Sequence, residues 1–291
     1  MKKFLYIAFM ILLLAGCSRI QIAYNQLDWL IPYYIESYVE LTDSQDTYLE
    51  QQVTELLNWH CSSHLGQYAE LLHRLNNDFQ SGSMTQEKLQ AYVDQLDRYW
   101  QEIMQHASPA LARLFLSASD EQVEELVNGF AEKNEEWLEE FNAKTEEELR
   151  AEYEENMVDE LERWFGPLQS AQQQAVSDWS RRFKPLGLLG LRMRERWQAR
   201  LHLLLSQRDE VEAFNAGIEE LFANPDALRS EAYLARADYN EKITVEMIYQ
   251  VSKQLDRQQL ENLASMAGSL ADDFTQLSCV RQTPRKQLTA K

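Results

Sequence analysis

Apolar residues recur at intervals of three and four positions along most of this chain, which is the spacing of one face of an α-helix. One long stripe runs from position 49 to 79 and another from 260 to 277. No segment alternates apolar and polar residues between turn-forming pairs, as half-buried strands do. The pattern therefore predicts an all-α protein. The first stripe consists of Leu49, Val53, Leu56, Leu57, Leu65, Tyr68, Leu71, Leu72, Leu75 and Phe79, and the second of Leu260, Leu263, Ala267, Leu270, Phe274 and Leu277.

Helix starts share a pattern in which a capping side chain stands three residues before a glutamine. In such a capping box, each of the two side chains satisfies a backbone N–H group that the first helical turn leaves unpaired. Thr85 predicts one further start, without the glutamine. These starts divide the chain into a multi-helix bundle of antiparallel helices. The boxes are Thr42 with Gln45, Ser119 with Gln122, Ser170 with Gln173, and Asp256 with Gln259.

The first seventeen residues have the pattern of a lipoprotein signal. A basic start is followed by an uncharged apolar run at 4–14, which is too short to span a bilayer, and then by "LAGC" at 14–17. We expect cleavage before Cys17, whose thiol would carry the lipid; the alternative is an ordinary secretory signal with a chance cysteine. Ser18, where inner-membrane lipoproteins commonly have Asp, favours the outer membrane of a Gram-negative bacterium, facing the periplasm.

This signal sets the expected organisation of the chain. The remaining length suits one large core or two lobes. The expected parts are a signal peptide at 1–16, a lipid-anchored tether at 17–25, an all-α domain at 26–280 and a flexible tail at 281–291.

Charge excludes one class of partner and suggests another. The net charge of −19 excludes nucleic acid, because phosphate binding needs excess Lys and Arg. Residues 120–163 hold 18 acidic and 4 basic side chains, whereas 181–208 hold 8 basic and 1 acidic. Arg192, Arg196 and Arg200 form a stripe in the basic segment that could bind an anionic partner or a phospholipid headgroup. The opposite charges within one chain favour the alternative, in which the basic helix packs beside the acidic one.

The segment "NWHCSSHLGQ" at 58–67 holds two histidines and a cysteine. At about 100° per residue, His60, Cys61 and His64 fall within the apolar stripe and Trp59 points away from it. His60, Cys61 and His64 could ligate a metal, but no fourth ligand is identifiable. Once Cys17 is lipidated, two thiols remain in an oxidising compartment, which favours a disulfide over unpaired buried thiols or a metal. We therefore expect Cys61 to bond Cys279, which would close the bundle, and we expect no metal or other cofactor.

The aromatic segment at 27–39, "LDWLIPYYIESYV", lies about ten residues beyond the expected anchor. Its Trp29, Tyr33, Tyr34 and Tyr38 could rest in the membrane interface or belong to the first core helix. The presence of Glu36 and Glu40 nearby favours the core.

Two resemblances bear on function. The string "LTDSQ" at 41–45 resembles the Leu-Thr-x-x-Gln signature of the periplasmic chaperones Spy and CpxP. The lipobox, followed by "YNQLDWLIPYYIESYVELT" at 24–42, "WHC" at 59–61 and "QYAELL" at 67–72, resembles a family of proteobacterial envelope lipoproteins of unknown function. The second resemblance implies an envelope lipoprotein over the whole mature chain and supplies no activity.

The sequence contains no phosphate-binding glycine loop, no Gly-x-Ser-x-Gly elbow and no His-Glu-x-x-His helix. We therefore expect a non-enzymatic protein that binds or organises other envelope components, with an envelope protein as partner and the membrane held through its lipid anchor. One alternative is a chaperone for unfolded periplasmic clients. Another is a hydrolase, either metal-dependent through His60 and His64 or acting on the cell wall through a buried Glu.

Overall fold

The computed structural model describes residues 23–277 and residue 279, and within them the chain forms ten α-helices, one 3-10 helix and no strand. The all-α prediction is confirmed. The signal peptide, the lipidation site Cys17 and the tail at 281–291 lie outside the described residues. The helices are α1 Leu27–Glu36, α2 Asp43–Gln80, α3 Gln86–Leu116, α4 Asp120–Asn142, α5 Glu146–Phe165, α6 Ser170–Arg182, α7 Gly187–Ser206, α8 Val211–Ala223, the 3-10 helix Pro225–Leu228, α9 Glu231–Ser252 and α10 Arg257–Gln276.

Most predicted helix starts are confirmed. Thr42, Ser119 and Asp256 each form a complete capping box, and the Thr85 side chain accepts from the Lys88 N–H. The box predicted at Ser170 is wrong by one residue, because the helix begins there and the Gln169 N–H donates to Gln172 Oε1 at 2.8 Å.

The box glutamines do more than cap their own helices. Gln45 and Gln122 exchange reciprocal amide hydrogen bonds of 2.9 and 2.7 Å, which join the start of α2 to the start of α4. Gln172 and Gln259 exchange two bonds of 2.9 Å, which join the starts of α6 and α10. The bonds satisfy the amides of Gln45, Gln172 and Gln259, which are buried and would otherwise destabilise the fold. Each of these glutamine pairs, which we call a polar clamp, joins two helix ends that are distant in sequence.

Three apolar clusters form the core. The first lies between α2 and α10, the second is built mainly from α5, α6 and α9, and the third from α7 and α8 with parts of α3 and α4. Helix α10 runs antiparallel to α2, since Gln80 Nε2 donates to the Leu260 carbonyl at 2.7 Å while Tyr68 meets Phe274 edge to face. A long early helix and the last of the described helices therefore lie side by side, so the bundle is closed.

Candidate functional site

The two cysteines predicted to pair are bonded. Cys61 lies in the middle of α2 with 3% of its surface exposed, and Cys279 follows the end of α10. Their Cα atoms are 5.2 Å apart, within the normal range for a disulfide. The prediction of this bond is confirmed, and it fixes the helix turn that carries both histidines.

His60 is held between two tyrosine hydroxyls. Its Nδ1 lies 3.0 Å from the Tyr24 hydroxyl and its Nε2 lies 3.0 Å from the Tyr68 hydroxyl. Tyr24 donates its single hydroxyl proton to the Leu57 carbonyl at 3.1 Å, so it accepts from Nδ1–H. Burial raises the pKa of Tyr68, which keeps its hydroxyl protonated as a donor to Nε2. If the ring is neutral, these contacts place its proton on Nδ1 and leave Nε2 to accept from Tyr68.

His64 is buried, with 1% of its surface exposed, and is held by one residue on each side. Its Nε2 lies 3.1 Å from Glu102 Oε2 on α3, and its Nδ1 lies 2.7 Å from the Ser63 hydroxyl. A carboxylate only accepts, so Nε2 carries a proton. Ser63 also lies 2.7 Å from the Trp59 carbonyl, and its one proton can go to either acceptor.

Ser63, His64 and Glu102 are joined by hydrogen bonds and have the residue types of a hydrolytic triad. Such a triad also needs N–H donors aimed at the developing oxyanion. Ser63 lies in the interior of α2, where the backbone N–H groups are already bonded within the helix. The arrangement is therefore suited to locking two helices together rather than to acyl transfer.

A row of stacked rings leads from the histidines to the surface. His60 and His64 stack with ring centroids 5.3 Å apart, and Trp59 lies flat on His106 of α3 at 3.8 Å. The expectation that Trp59 points away from the packed side was wrong, because α3 covers that side too.

Among the described residues, no group of three or more His, Cys, Asp or Glu side chains is arranged to hold a metal ion.

Glu160 on α5 is a half-buried glutamate of the kind that a hydrolase could use as a general acid. Burial raises its pKa, and the neighbouring Arg163 opposes that change. Its Oε2 accepts from Arg163 at 2.6 Å and its Oε1 from the Trp164 indole at 3.1 Å. Both oxygens are thus occupied by side chains of the same helix, which is the geometry of a structural ion pair.

The predicted arginine stripe lies on the outer side of α7. Arg192 and Arg196 are exposed and Arg200 is half-buried. In the part of the chain that the structure describes, none of the three pairs with a carboxylate; Arg196 Nε donates to the Arg192 carbonyl at 3.3 Å. Leu188 and Leu203 share the exposed side at 45% and 47% exposure. We call these five residues the arginine face.

The opposite side of α7 packs against the acidic helix α4. The Arg194 guanidinium lies 5.5 Å from the Trp137 ring centroid, and Asn134 donates to Gln198 at 2.7 Å. The basic helix does lie beside the acidic one, as the charge pattern favoured. The contacts with α4 come from Arg194 rather than from the predicted stripe. Arg192 and Arg196 each stand two residues from Arg194, which on an α-helix turns their side chains about 200° from it.

Helix α1 has two different faces. Leu27, Ile31 and Ile35 pack on the core between α2 and α10, as the core interpretation requires. Trp29 and Tyr33 are 52% and 65% exposed, so that interpretation is wrong for these two rings. None of the helices in the described ranges is long and apolar enough to cross a bilayer.

Comparisons with known proteins place the chain in a family without assigning an activity. We found no significant match to a curated protein or to a solved structure. A family of unknown function, DUF6279, matches residues 37–234, more than half of the chain. The match includes Cys61, both histidines and the arginine face, and leaves out Trp29, Tyr33 and Cys279. The resemblances to envelope lipoproteins and to Spy and CpxP stay predictions. The chain therefore belongs to DUF6279, a family of unknown function.

Proposed function

We propose that this protein is a lipid-anchored, non-enzymatic organiser of the bacterial envelope that binds an acidic protein partner through its arginine face. The observation that carries the proposal is the exposure of Arg192 and Arg196 without carboxylate partners among the described residues, in a protein whose net charge is −19.

The chemistry of this face suits a protein surface. A guanidinium presents a rigid fork of donors that matches a carboxylate, and arginine is enriched at the centres of interfaces. Leu188 and Leu203 flank the arginines and supply apolar area to bury. Arg194 already holds α7 on the domain, so the outer arginines are not needed for packing.

The proposed location rests on the cysteines. The bond between Cys61 and Cys279 suits an oxidising compartment such as the periplasm. The lipobox at 14–17 would place a lipid on Cys17. Substitution Cys17→Ala should move the protein from the detergent phase to the aqueous phase in a partitioning assay. Full partitioning of the variant into detergent would show that the anchor assignment is wrong.

The non-enzymatic part of the proposal rests on the histidines. Both ring nitrogens of His60 and of His64 are occupied by partners within the protein. A general base needs a nitrogen within hydrogen-bond reach of a substrate proton. These contacts support a structural role for the cluster.

In-cell photocrosslinking tests the arginine face directly. A photoreactive residue at Leu203 would report the partner while leaving the arginines intact. We expect a discrete crosslinked envelope protein that disappears when Arg192→Glu and Arg196→Glu are added. A matched charge reversal at Arg257, whose side chain is 93% exposed on α10, should leave the crosslink unchanged. No discrete crosslink, or one that survives the double reversal, would refute the proposal.

A chaperone for unfolded clients is the second candidate, because large apolar side chains are exposed away from the arginine face as well. Leu96 and Trp100, one turn apart on α3, are 54% and 40% exposed. Such side chains could hold apolar segments of a client. Suppression of the aggregation of a reduced model client, lost in Leu96→Ser with Trp100→Ser, would favour this function over a dedicated partner.

A further inference from the structure

Helix α1 leaves two large aromatic rings uncovered on its outer side. Trp29 and Tyr33 are one turn apart and meet edge to face, with ring centroids 6.2 Å apart. The exposed side of the helix also carries the polar residues Gln26 and Ser37 and the carboxylate of Glu36, two turns after Trp29. The same short helix buries its other face in the core. The outer face is therefore fixed in direction and cannot turn inward.

The two rings on this face are of the residue types that concentrate at a membrane interface. Trp and Tyr concentrate at the level of the lipid headgroups, because each combines an apolar ring with a polar tip. The Trp29 indole N–H already donates to Gln26 Oε1, so ring burial would leave no unpaired donor. A headgroup layer would remove the ring surfaces from water while keeping the polar tips hydrated.

The position of α1 brings the pair close to the expected anchor. Near the start of the described residues, Tyr24 is fixed to the domain, since it is buried and its hydroxyl donates to the Leu57 carbonyl. Six residues lie between it and Cys17, and the seven steps from one Cα to the next span at most about 25 Å however they are arranged. Trp29 follows Tyr24 by five residues. A lipid on Cys17 would therefore hold the domain with α1 within reach of the bilayer surface.

We propose that Trp29 and Tyr33 insert into the headgroup region of the membrane that holds the lipid anchor and so orient the domain on that membrane. The inference rests on the lipid anchor of the proposed function. The strongly acidic surface of 120–163 would be repelled by anionic headgroups, which favours the approach through α1 over an approach through α4 or α5.

Fluorescence quenching by brominated lipids tests this contact. The lipidated full-length protein would be purified in detergent and reconstituted into phosphatidylethanolamine–phosphatidylglycerol vesicles with brominated acyl chains. The chain has seven tryptophans, and only one of them lies on α1. We expect Trp29→Phe to abolish at least half of the quenching. The matched variant Trp100→Phe, which removes an exposed tryptophan from α3, should keep it.

Flotation of the same vesicles separates the two hypotheses. If wild-type protein floats and quenching is unchanged in Trp29→Phe, the docking of α1 is refuted while the anchor stands. Quenching that disappears instead in Trp197→Phe, on α7, would also refute it. If wild-type protein fails to float, the anchor is absent and the orientation that depends on it is refuted too.

Discussion

Removal of the bond between Cys61 and Cys279 should lower the free energy of unfolding by up to about 5 kcal/mol. The bond closes a loop of 218 residues, and loop-closure entropy for that length gives this value as an upper figure. The double variant Cys61→Ala and Cys279→Ala avoids leaving a buried hydroxyl in the site. The helix pair should persist without the bond, because Ala267 and Ala271 of α10 remain packed against α2.

Equilibrium unfolding in urea, followed by circular dichroism, measures this loss. The slope of the free energy against urea should increase in the variant, because an unfolded chain without the cross-link exposes more surface. Wild-type protein kept reduced provides the matched control and should lose the same stability. A loss below about 1 kcal/mol with an unchanged slope would refute the reasoning, since the bond would then constrain neither state.

Three further predictions test the core, the polar clamps and the titratable groups. Phe214→Ala should cost about 3–5 kcal/mol in urea unfolding, because this 1%-exposed side chain fills the third cluster; a loss under about 1 kcal/mol would contradict that packing. Gln172→Leu should cost about 1–3 kcal/mol, because the buried Gln259 amide loses both of its bonds to Gln172 and keeps only those to the Pro167 carbonyl and the Asp256 N–H. Adding Gln259→Leu should recover part of the loss, whereas strictly additive losses would show that the two glutamines are not coupled. Burial raises the pKa of Asp78, but hydrogen bonds led by that from Lys88 bring it below the ordinary value of 3.8. The carboxylate therefore stabilises the fold fully above pH 3.8 and less as the pH falls through the lowered pKa. The stability gap between wild type and Asp78→Asn should shrink between pH 6 and pH 3, and a constant gap would refute the assignment.

Helices with a single apolar stripe were predictable from the sequence. The stripe from Leu49 to Phe79 predicted α2, and the disulfide followed because only two thiols remained once Cys17 was assigned to the lipid.

The tyrosine partners of His60 were not predictable from the sequence. Tyr24 is 36 residues away, and the contact depends on how α1 enters the domain. Local periodicity carries no information on such a crossing.

The sequence also does not show which sides of α1 and α7 are exposed. Helix α1 has apolar residues on both sides, so no stripe distinguishes Ile31, which packs on the core, from the exposed Trp29. On α7 the pattern shows that Arg192 and Arg196 share a face, but it cannot show which side the neighbouring helix covers. Arg194, two positions further along, is the residue that packs on α4. Only the tertiary arrangement decides which arginine is left for a partner.

The position of the disulfide also determines how the domain carries mechanical tension. Tyr24 is hydrogen-bonded to Leu57, and Cys279 is bonded to Cys61, so residues near both ends of the described chain are held at one turn of α2. A pull between these two points travels through the first half of α2 and across the sulfur–sulfur bond. Residues 62–278 lie outside this load path. Most of the bundle is therefore shielded from a force that, in a reduced chain, would peel α10 away from α2.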